Sequence, residues 1–237
     1  YIVIPTPDAD MKYRKKTIEE LEKIVEMARE LKKNPSSIYN IQKKIKEIKE
    51  KISQVSYFSE ERKRLERKEI FYSMVLSAYK DEKYLETIER VNEANKRKYN
   101  ILKEHPQMNY YLSKWHELAH LLAHSILPYS LPKFGGIEET LGYSLKKENI
   151  LKEALAIAYG FKGLLLGVKK GRFPLKPAQE FIKEWMEGYK VAPEDDPHRW
   201  AVEHLSGFDP FKPCEESIKY LDKKIDRIIE SLKKVRS

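Results

Sequence analysis

The sequence predicts an all-α protein: a multi-helix bundle with heptad-patterned N- and C-terminal helices and at most a minor β element. Apolar residues recur at alternating spacings of three and four over most of the chain, which is the period of an amphipathic helix. Hydrophobic residues make up 41% of the 237 positions, enough to build a packed core. Only residues 1–5 and 143–145 look extended, so little sheet is expected.

The N-terminal region begins with a predicted helical hairpin over residues 17–56. Thr17 and Glu20 are spaced as a capping box, and Asn34 with Pro35 ends the first helix. The apolar series of the two helices are Ile18, Leu21, Val25, Ala28 and Leu31, and Ile38, Ile41, Ile45, Ile48, Ile52 and Val55. Lys and Glu fill the positions between them, as on the outer faces of packed helices.

A third helical pattern runs from Ser59 to Pro106 with a break near Lys80 and Asp81, and a fourth closes the chain. The closing series is Ile218, Leu221, Ile225, Ile228, Leu232 and Val235. Each heptad pattern spans only two or three repeats, which is short for an autonomous coiled coil and typical of helices packed in a bundle. The same apolar faces could also pair two copies of the chain.

The middle of the chain differs in composition from the two ends. Residues 107–127 and 149–168 are predicted apolar helices, joined by a connection rich in Pro and Gly. A further helix is expected from Pro177, and Asp196 is placed to cap a short one. The predicted parts of the chain are a helical N-terminal region (1–105), a core (106–210) and a C-terminal helix that packs on the bundle (211–237).

Charge and cysteine content exclude several classes of protein. The single cysteine, Cys214, cannot form an internal disulfide, so a disulfide-stapled secreted domain is excluded and a cytoplasmic location is expected. The longest apolar run, 154–168, is interrupted by Lys162 and is too short to span a membrane. The chain begins at Tyr1 rather than Met, which leaves open a removed leader or anchor. Abundant Lys and Glu resemble the composition of hyperthermophile proteins.

One motif carries recognisable chemistry: His116, Glu117 and His120 form an HExxH sequence on a predicted helix. Positions i and i+4 lie about 40° apart around a helix, so the two imidazoles can share one metal ion. Glu117 projects from the edge of the same face, where it can reach a water at the metal without being a ligand. The opposite face, expected to anchor the helix in the core, carries Tyr111, Trp115, Leu118, Leu122 and Ile126.

A polar helix face whose histidines do nothing is the alternative to a metal site. Against it, three of the 6 histidines of the chain fall between 116 and 124, whereas the other surface helices use Lys, Arg and Glu. The sequence therefore favours a metal site on this helix.

A catalytic zinc ion needs a third protein ligand and an open position. His124 lies about 12 Å along the helix from His116, so it is expected to line the cleft, support a ligand or pack. Glu153 is preferred because a carboxylate that enters an apolar segment needs a cation or several hydrogen bonds. It could instead face solvent in the first turn of its helix and complement the helix dipole. The other third ligands that remain open are Glu139, Glu148, His198 and His204.

The segment 116–124, HELAHLLAH, resembles the HELGH-type helix of ImmA/IrrE-type metallopeptidases and, more broadly, of gluzincins. In those families a glutamate on the next helix completes the site. Residues 152–161 resemble the Glu-Ala-Asn-x-Phe-Ala segment of the ImmA/IrrE type, with Leu155 in place of Asn and Ile157 in place of Phe. The Leu-Leu-x-Pro that follows in that family is not in register. The resemblance covers residues 112–166 and implies that Glu153 completes the metal site.

Zinc chemistry then predicts a peptidase mechanism that acts on a peptide or protein substrate, with Zn²⁺ held by His116, His120 and Glu153. The metal lowers the pKa of a water to about 7 and polarises the carbonyl. Glu117 takes the proton of the water and passes it to the departing amine. A donor for the oxyanion is also required. The candidates for this donor are Tyr143, Tyr159, His198 and His204.

The net charge of +9 favours a second hypothesis, in which basic helices bind a polyanion such as nucleic acid. Residues 1–105 carry a net charge of +6. Their densest basic cluster consists of Arg62, Lys63, Arg64, Arg67 and Lys68, with Phe71 and Tyr72 just beyond it. Mixed Lys/Glu faces are nevertheless typical of solvated helices, and that interpretation is favoured. In a third interpretation the metal is structural within a helical interaction protein, and Glu117 is idle.

Overall fold

The computed structural model describes residues 6–126, 138–190 and 196–235, except the side chains of 124, 126 and 138–146. Every regular element in these ranges is helical, which confirms the predicted all-α class. The α-helices are α1 (Pro7–Lys33), α2 (Ile38–Gln54), α3 (Glu60–Lys80), α4 (Glu82–Glu104), α5 (Gln107–Ile126), α6 (Glu138–Lys169), α7 (Leu175–Lys190), α8 (Pro197–Glu203) and α9 (Cys214–Val235), with a 3₁₀ turn at Pro35–Ser37.

Of the two segments predicted to be extended, the structure describes one. Residues 1–5 lie outside the described part of the chain. Residues 143–145 belong to α6, so that prediction is wrong. Helix α6 begins at Glu138, well before the predicted 149, so part of the predicted Pro- and Gly-rich connection is helical.

Helix boundaries follow local capping chemistry. The predicted capping box at Thr17 is wrong: α1 begins at Pro7, and the Thr17 hydroxyl donates to the carbonyl of Tyr13 inside the helix. The predicted break between α3 and α4 is confirmed, since the Asp81 carboxylate accepts hydrogen bonds from the first backbone N–H groups of α4. The predicted cap of α8 is also confirmed, because Asp196 accepts from the backbone N–H of His198.

The described chain divides into two compact units. The first, here called the hairpin unit, is Tyr13–Lys96. Its core is built from apolar positions on α1 to α4: Ile24, Ala28, Leu31, Ile41, Val75, Ala78, Leu85 and Ile88. Within it α2 packs most closely against α3, and α1 is tied to α4 by the exposed ion pairs Arg29–Glu89 and Lys32–Glu82.

The second unit, here called the α6 unit, comprises Tyr1–Lys12 and Arg97–Ser237. Helix α6 is its centre and packs against α5, α8 and α9. Its largest fully buried side chains include Phe161, Leu164 and Leu165 of α6, with Phe181 of α7 and Leu221 of α9. Large and small residues alternate along α6, so this one helix can pack against several neighbouring helices.

Two glycines allow α5 to approach α6. A Cβ on Gly160 would lie 3.3 Å from the carbonyl oxygen of Leu112, and a Cβ on Gly163 would lie 2.7 Å from the Cβ of Trp115. Glu153 and these glycines recur at spacings of seven and three, so they share one side of α6. The same small-residue face that seats α5 thus brings the HExxH helix next to Glu153.

The buried face of α5 differs in part from the predicted one. Among its described side chains, Met108, Leu112, Ala119 and Ala123 are the buried apolar ones, whereas Leu118 is 43% exposed. The expectation that Leu118 anchors the helix in the core is wrong, but Tyr111 of the same predicted face packs against the core and Trp115 lies against Gly163 of α6. Among the described helices, none is long and apolar enough to cross a membrane.

Candidate metal centre

The centre lies where α5 and α6 meet and is built from His116, His120 and Glu153. The Nε2 atoms of the two histidines are 3.1 Å apart. Glu153 Oε2 lies 3.7 Å from His116 Nε2 and 3.5 Å from His120 Nε2. The three ligand atoms fall within 4.8 Å of one another, and among the described residues these form the one such group of three or more metal-ligating side chains.

The donor set fits a tetrahedral metal ion. Bonds of about 2.1 Å in a tetrahedron place neighbouring ligand atoms about 3.4 Å apart, which the three distances here bracket. Glu153 Oε2 is buried, and no hydrogen bond of good geometry reaches it from the described residues. A buried carboxylate oxygen needs a cation beside it, which either a metal ion or the protonated imidazole of His198, 3.0 Å away, can supply. Zinc accepts this mixture of imidazole and carboxylate ligands.

Glu153 lies in the middle of α6, so the expectation that it stands at the start of its helix is wrong. Consequently it does not complement the helix dipole in a first turn. It is only partly exposed, and apolar residues surround it in the sequence on the buried side of α6, among them Ala154, Ala156 and Ile157. The packing of α5 on α6 places Glu153 beside the histidines rather than in solvent.

His198, from α8, also reaches the centre. Its Nε2 lies 3.0 Å from Glu153 Oε2, and its ring is stacked on that of His116 with centroids 6.3 Å apart. It does not belong to the compact group of three ligand atoms. His198 therefore contacts the Glu153 carboxylate but is not one of the three residues whose spacing fits a tetrahedral metal ion.

Two residues hold His198 in this orientation. Asp196 Oδ1 lies 2.7 Å from His198 Nδ1 and accepts a hydrogen bond from the backbone N–H of His198. Tyr189 stacks on the imidazole, with centroids 4.9 Å apart and rings 9° from parallel. Because Nδ1 is engaged by a carboxylate, Nε2 is the nitrogen that faces Glu153.

Charge coupling sets the protonation of the cluster. Burial, reinforced by repulsion from His120, lowers the pKa of His116 to about 4, so its imidazole is neutral and available to a metal at neutral pH. Burial opposes the charge on Glu153, but the imidazoles of His120 and His198 outweigh it and hold its pKa below the usual range. The contact with Glu153, supported by Asp196, raises the pKa of His198 to about 8 against the opposing effect of burial.

The remaining candidates from the sequence are distributed as follows. Glu117 is half-buried on α5 beside His116. Glu148 is buried and pairs with Lys152 at 2.6 Å, so its carboxylate has a partner outside the cluster. Tyr159 is half-buried and packs against the core of the α6 unit. The side chains of Glu139, His124 and Tyr143 lie outside the described residues.

His204 closes α8 and has other electrostatic neighbours. Burial and the charge of Lys224 lower its pKa, and Glu203 and Lys147 are the next charges around it. Its described interactions do not involve the ligand cluster. Of the histidines proposed as oxyanion donors, His198 is the one that the structure brings to Glu153.

Sequence reasoning missed the roles of Asp196 and Tyr189. Asp196 was expected only as a helix cap, yet the same carboxylate reaches the imidazole two residues later. The Asp-Pro-His sequence at 196–198 contained this signal, since a cap side chain lies next to the first turn. Tyr189 could not have been found, because its contact with His198 depends on how α7 packs against α8.

The basic cluster predicted for phosphate lies on α3 in the hairpin unit. Arg62 pairs with Glu66 at 2.8 Å, and Lys63 pairs with Glu60 at 2.6 Å. Arg64, Arg67 and Lys68 are also on this helix.

Comparison with known proteins gives no relative. No family model, no curated protein and no solved structure matches the chain. Function is therefore inferred from the residues of the centre.

Proposed function

We propose that the protein is a zinc-dependent hydrolase of peptide bonds. The observation that carries the proposal is the convergence of His116 Nε2, His120 Nε2 and Glu153 Oε2 at separations that fit the edges of a tetrahedral site. The HExxH spacing and its resemblance to the helix of zinc metallopeptidases support the same assignment.

His116, His120 and Glu153 would hold the metal. When bound, zinc supplies Lewis-acid chemistry: it polarises a carbonyl and lowers the pKa of a water to about 7. The neutral state of His116 and the ionised state of Glu153 suit this task before any metal binds, because ligands must be deprotonated.

Glu117 is the general base in this proposal. It follows His116 on α5, so its carboxylate projects about 100° around the helix from the ligand and stays free of the ligand set. It accepts the proton of the attacking water and delivers it to the departing amine nitrogen. Its half-buried position keeps the carboxylate in reach of solvent, from which the next water comes.

His198 is the donor toward the substrate carbonyl oxygen. Asp196 holds Nδ1, and Tyr189 holds the plane of the ring, so Nε2 points into the centre without a large loss of side-chain entropy on binding. A donor fixed in advance is more effective in stabilising an oxyanion than a mobile one.

The test is metal content together with a single substitution. We expect purified protein to carry about one equivalent of zinc. Glu117→Gln should keep the zinc and lower cleavage of a mixed peptide library, followed by mass spectrometry, by more than about 100-fold. Glu104→Gln, an exposed glutamate at the end of α4, is the matched control and should change neither. Failure to retain zinc after repletion would reject the proposal.

A structural metal site is the second candidate function, favoured by the nearness of His198 to Glu153 at 3.0 Å. If His198 moved to become a fourth ligand, the site would be closed and would hold the fold together without an open position. Zinc would then be bound, and Glu117→Gln would leave every measurable property unchanged. Loss of cleavage in that variant with zinc retained separates the two functions.

A further inference from the structure

Two aromatic rings project at the connection between α2 and α3 in the hairpin unit. Tyr57 and Phe58 are 70% and 87% exposed, and their rings meet edge to face at 5.3 Å. The Arg62 guanidinium lies over the ring of Tyr57 at 4.7 Å. These adjacent aromatic rings are exposed to water beside a cation and are not part of the core. A surface of this kind is typical of a site that binds a partner.

The net charge of the hairpin unit is confined to the end of the α2–α3 pair that carries these rings. Residues 43–68 hold ten basic and five acidic side chains. The remainder of the unit, 13–42 and 69–96, holds eleven of each and is neutral. More than half of the net charge of +9 of the chain therefore lies in this short stretch.

Most of these cations make no ion pair with a described residue. Arg62, Lys63 and Lys49 form ion pairs with Glu66, Glu60 and Glu69. The basic side chains that make no ion pair with any residue the structure describes are Lys43, Lys44, Lys46, Lys51, Arg64, Arg67 and Lys68. A concentration of unpaired cations attracts an anionic partner and repels itself in its absence.

A groove runs between α2 and α3 on the flank of this end. It has a volume of about 230 Å³, and its lining residues are Lys44, Glu47, Ile48, Lys51, Leu65, Lys68, Phe71 and Tyr72. Three lysines thus stand against one glutamate. The ammonium of Lys44 lies 5.5 Å from the centre of the Tyr72 ring, so a cation and an aromatic face meet within the groove.

We propose that this surface, called here the basic tip (residues 43–68 with Phe71 and Tyr72), binds single-stranded nucleic acid. The lysines of the groove contact the phosphates, and unstacked bases stack on the rings of Tyr57 and Phe58. Base–aromatic stacking beside a cationic track is the general chemistry of single-strand binding. A duplex keeps its bases stacked inside, so it offers no ring faces to this pair.

The charge pattern favours nucleic acid over an anionic membrane. Glu60 and Glu61 directly follow the exposed rings at the first turn of α3. Insertion of Phe58 into a bilayer would press both carboxylates against the lipid phosphates. A strand that enters from the groove instead meets Lys44, Lys51 and Lys68.

The test is fluorescence anisotropy of the whole chain with a labelled oligodeoxythymidylate about 15 nucleotides long, at several salt concentrations. We expect the logarithm of affinity to fall with the logarithm of salt. The double variant Tyr57→Ser/Phe58→Ser should weaken binding by at least about 5-fold, because a single stacked base already contributes that much. Its matched control is Tyr13→Ser/Tyr39→Ser, which removes two aromatic residues of the same unit that are each 71% exposed.

Neutralising the groove supplies the second variant. The triple variant Lys44→Gln/Lys51→Gln/Lys68→Gln should weaken binding. It should also reduce the slope of log affinity against log salt by the amount that corresponds to up to three phosphate contacts. Lys15→Gln/Lys16→Gln/Lys23→Gln, on α1, changes the charge equally and should leave the salt dependence nearly as in the wild type. The proposal is overturned if the oligonucleotide does not bind, if both charge variants act alike, or if the Tyr57→Ser/Phe58→Ser variant binds as tightly as the wild type. Binding to anionic vesicles that is stronger than binding to the oligonucleotide would overturn it as well.

Discussion

The contact between α5 and α6 and the basic tip use polar residues in opposite ways. At the α5–α6 contact a few uncommon side chains, His116, His120 and Glu153, are largely withdrawn from water and face one another. At the basic tip many common side chains are exposed, and most of the cations have no partner among the described residues. The first arrangement concentrates electrostatic interaction at a point; the second spreads it over a surface.

This difference determines how each region responds to mutation. Charges that are shielded from water interact strongly, so removing one member at the centre changes the state of the others. Exposed charges are screened within about 8 Å at physiological ionic strength. Substitutions at the centre are therefore expected to alter metal binding and folding, and substitutions at the tip only the affinity for a partner.

The largest expected effect is that of Glu153→Ala on zinc binding. Removal of a ligand should lower zinc affinity by more than about 100-fold, beyond the loss typical for residues that only support a ligand. The measurement is competition with a chelator, combined with unfolding in excess zinc. Zinc at 100 times its Kd should stabilise the wild type by about 2.7 kcal/mol and the variant by almost nothing.

Glu187→Ala, on the exposed side of α7, serves as the control for this change. It should retain wild-type zinc affinity, since its carboxylate pairs with Lys190 on the helix surface. If Glu153→Ala still bound zinc as the wild type does, the third ligand would have to be another residue, and His198 would be the first to examine.

The next largest effect concerns the seat of α5 on α6. A Cβ on Gly163 would overlap the side chain of Trp115, so Gly163→Ala should destabilise the protein by about 1–3 kcal/mol despite the better helix propensity of Ala. The separation of the two helices should also weaken zinc binding. Denaturant unfolding and chelator competition measure the two effects.

Gly188→Ala is the matched control, also within a helix. A Cβ there would meet only the flexible end of Lys98, at 3.3 Å. The change should be neutral or stabilising by up to about 1 kcal/mol. Equal behaviour of the two variants would show that the glycine face does not position the centre.

Much of the fold could be predicted from the sequence because most helices here carry their signals locally. The break at Asp81 and the cap at Asp196 depend on residues within one turn, and both predictions are confirmed. The start of α6 could not be placed in this way, since Gly142 and the Pro- and Gly-rich sequence before it indicated a connection rather than a helix. The exposure of Leu118 on α5 was also mispredicted, because burial of this side chain depends on the partner helix rather than on its own hydrophobicity.

The centre was predictable to the extent that its residues are close in sequence. His116 and His120 share a helix face by spacing alone. Glu153 was chosen for its apolar surroundings, and the geometry that brings it to the histidines came only with the packing of α5 on α6. Tyr189 touches His198 across two helices, and no pattern in the chain indicates that contact.

A smaller effect is expected at Asp196, where one carboxylate has two tasks. Asp196→Ala removes the cap of α8 and should destabilise the protein by about 1 kcal/mol. It also releases His198 Nδ1, which should slow peptide cleavage. Asp196→Ser can restore the cap but cannot reach the imidazole as a carboxylate does. If Asp196→Ser restores stability but not cleavage, the Asp196 carboxylate orients His198. If it restores both, Asp196 has no orienting role.

The smallest expected effect is on stability at the basic tip. Lys44→Gln/Lys51→Gln/Lys68→Gln should leave the free energy of unfolding within about 0.5 kcal/mol of the wild type, since these side chains make no ion pair with described residues and lie at the surface of the α2–α3 groove. Denaturant unfolding without nucleic acid is the measurement, and zinc content should be unchanged in the same sample. A slight gain in stability at low salt is consistent with relief of repulsion among the lysines and should vanish as salt is added. A loss above about 1 kcal/mol would mean that the lysine stems pack as part of the hairpin core, and the tip would then share the structural character of the α5–α6 contact instead of opposing it.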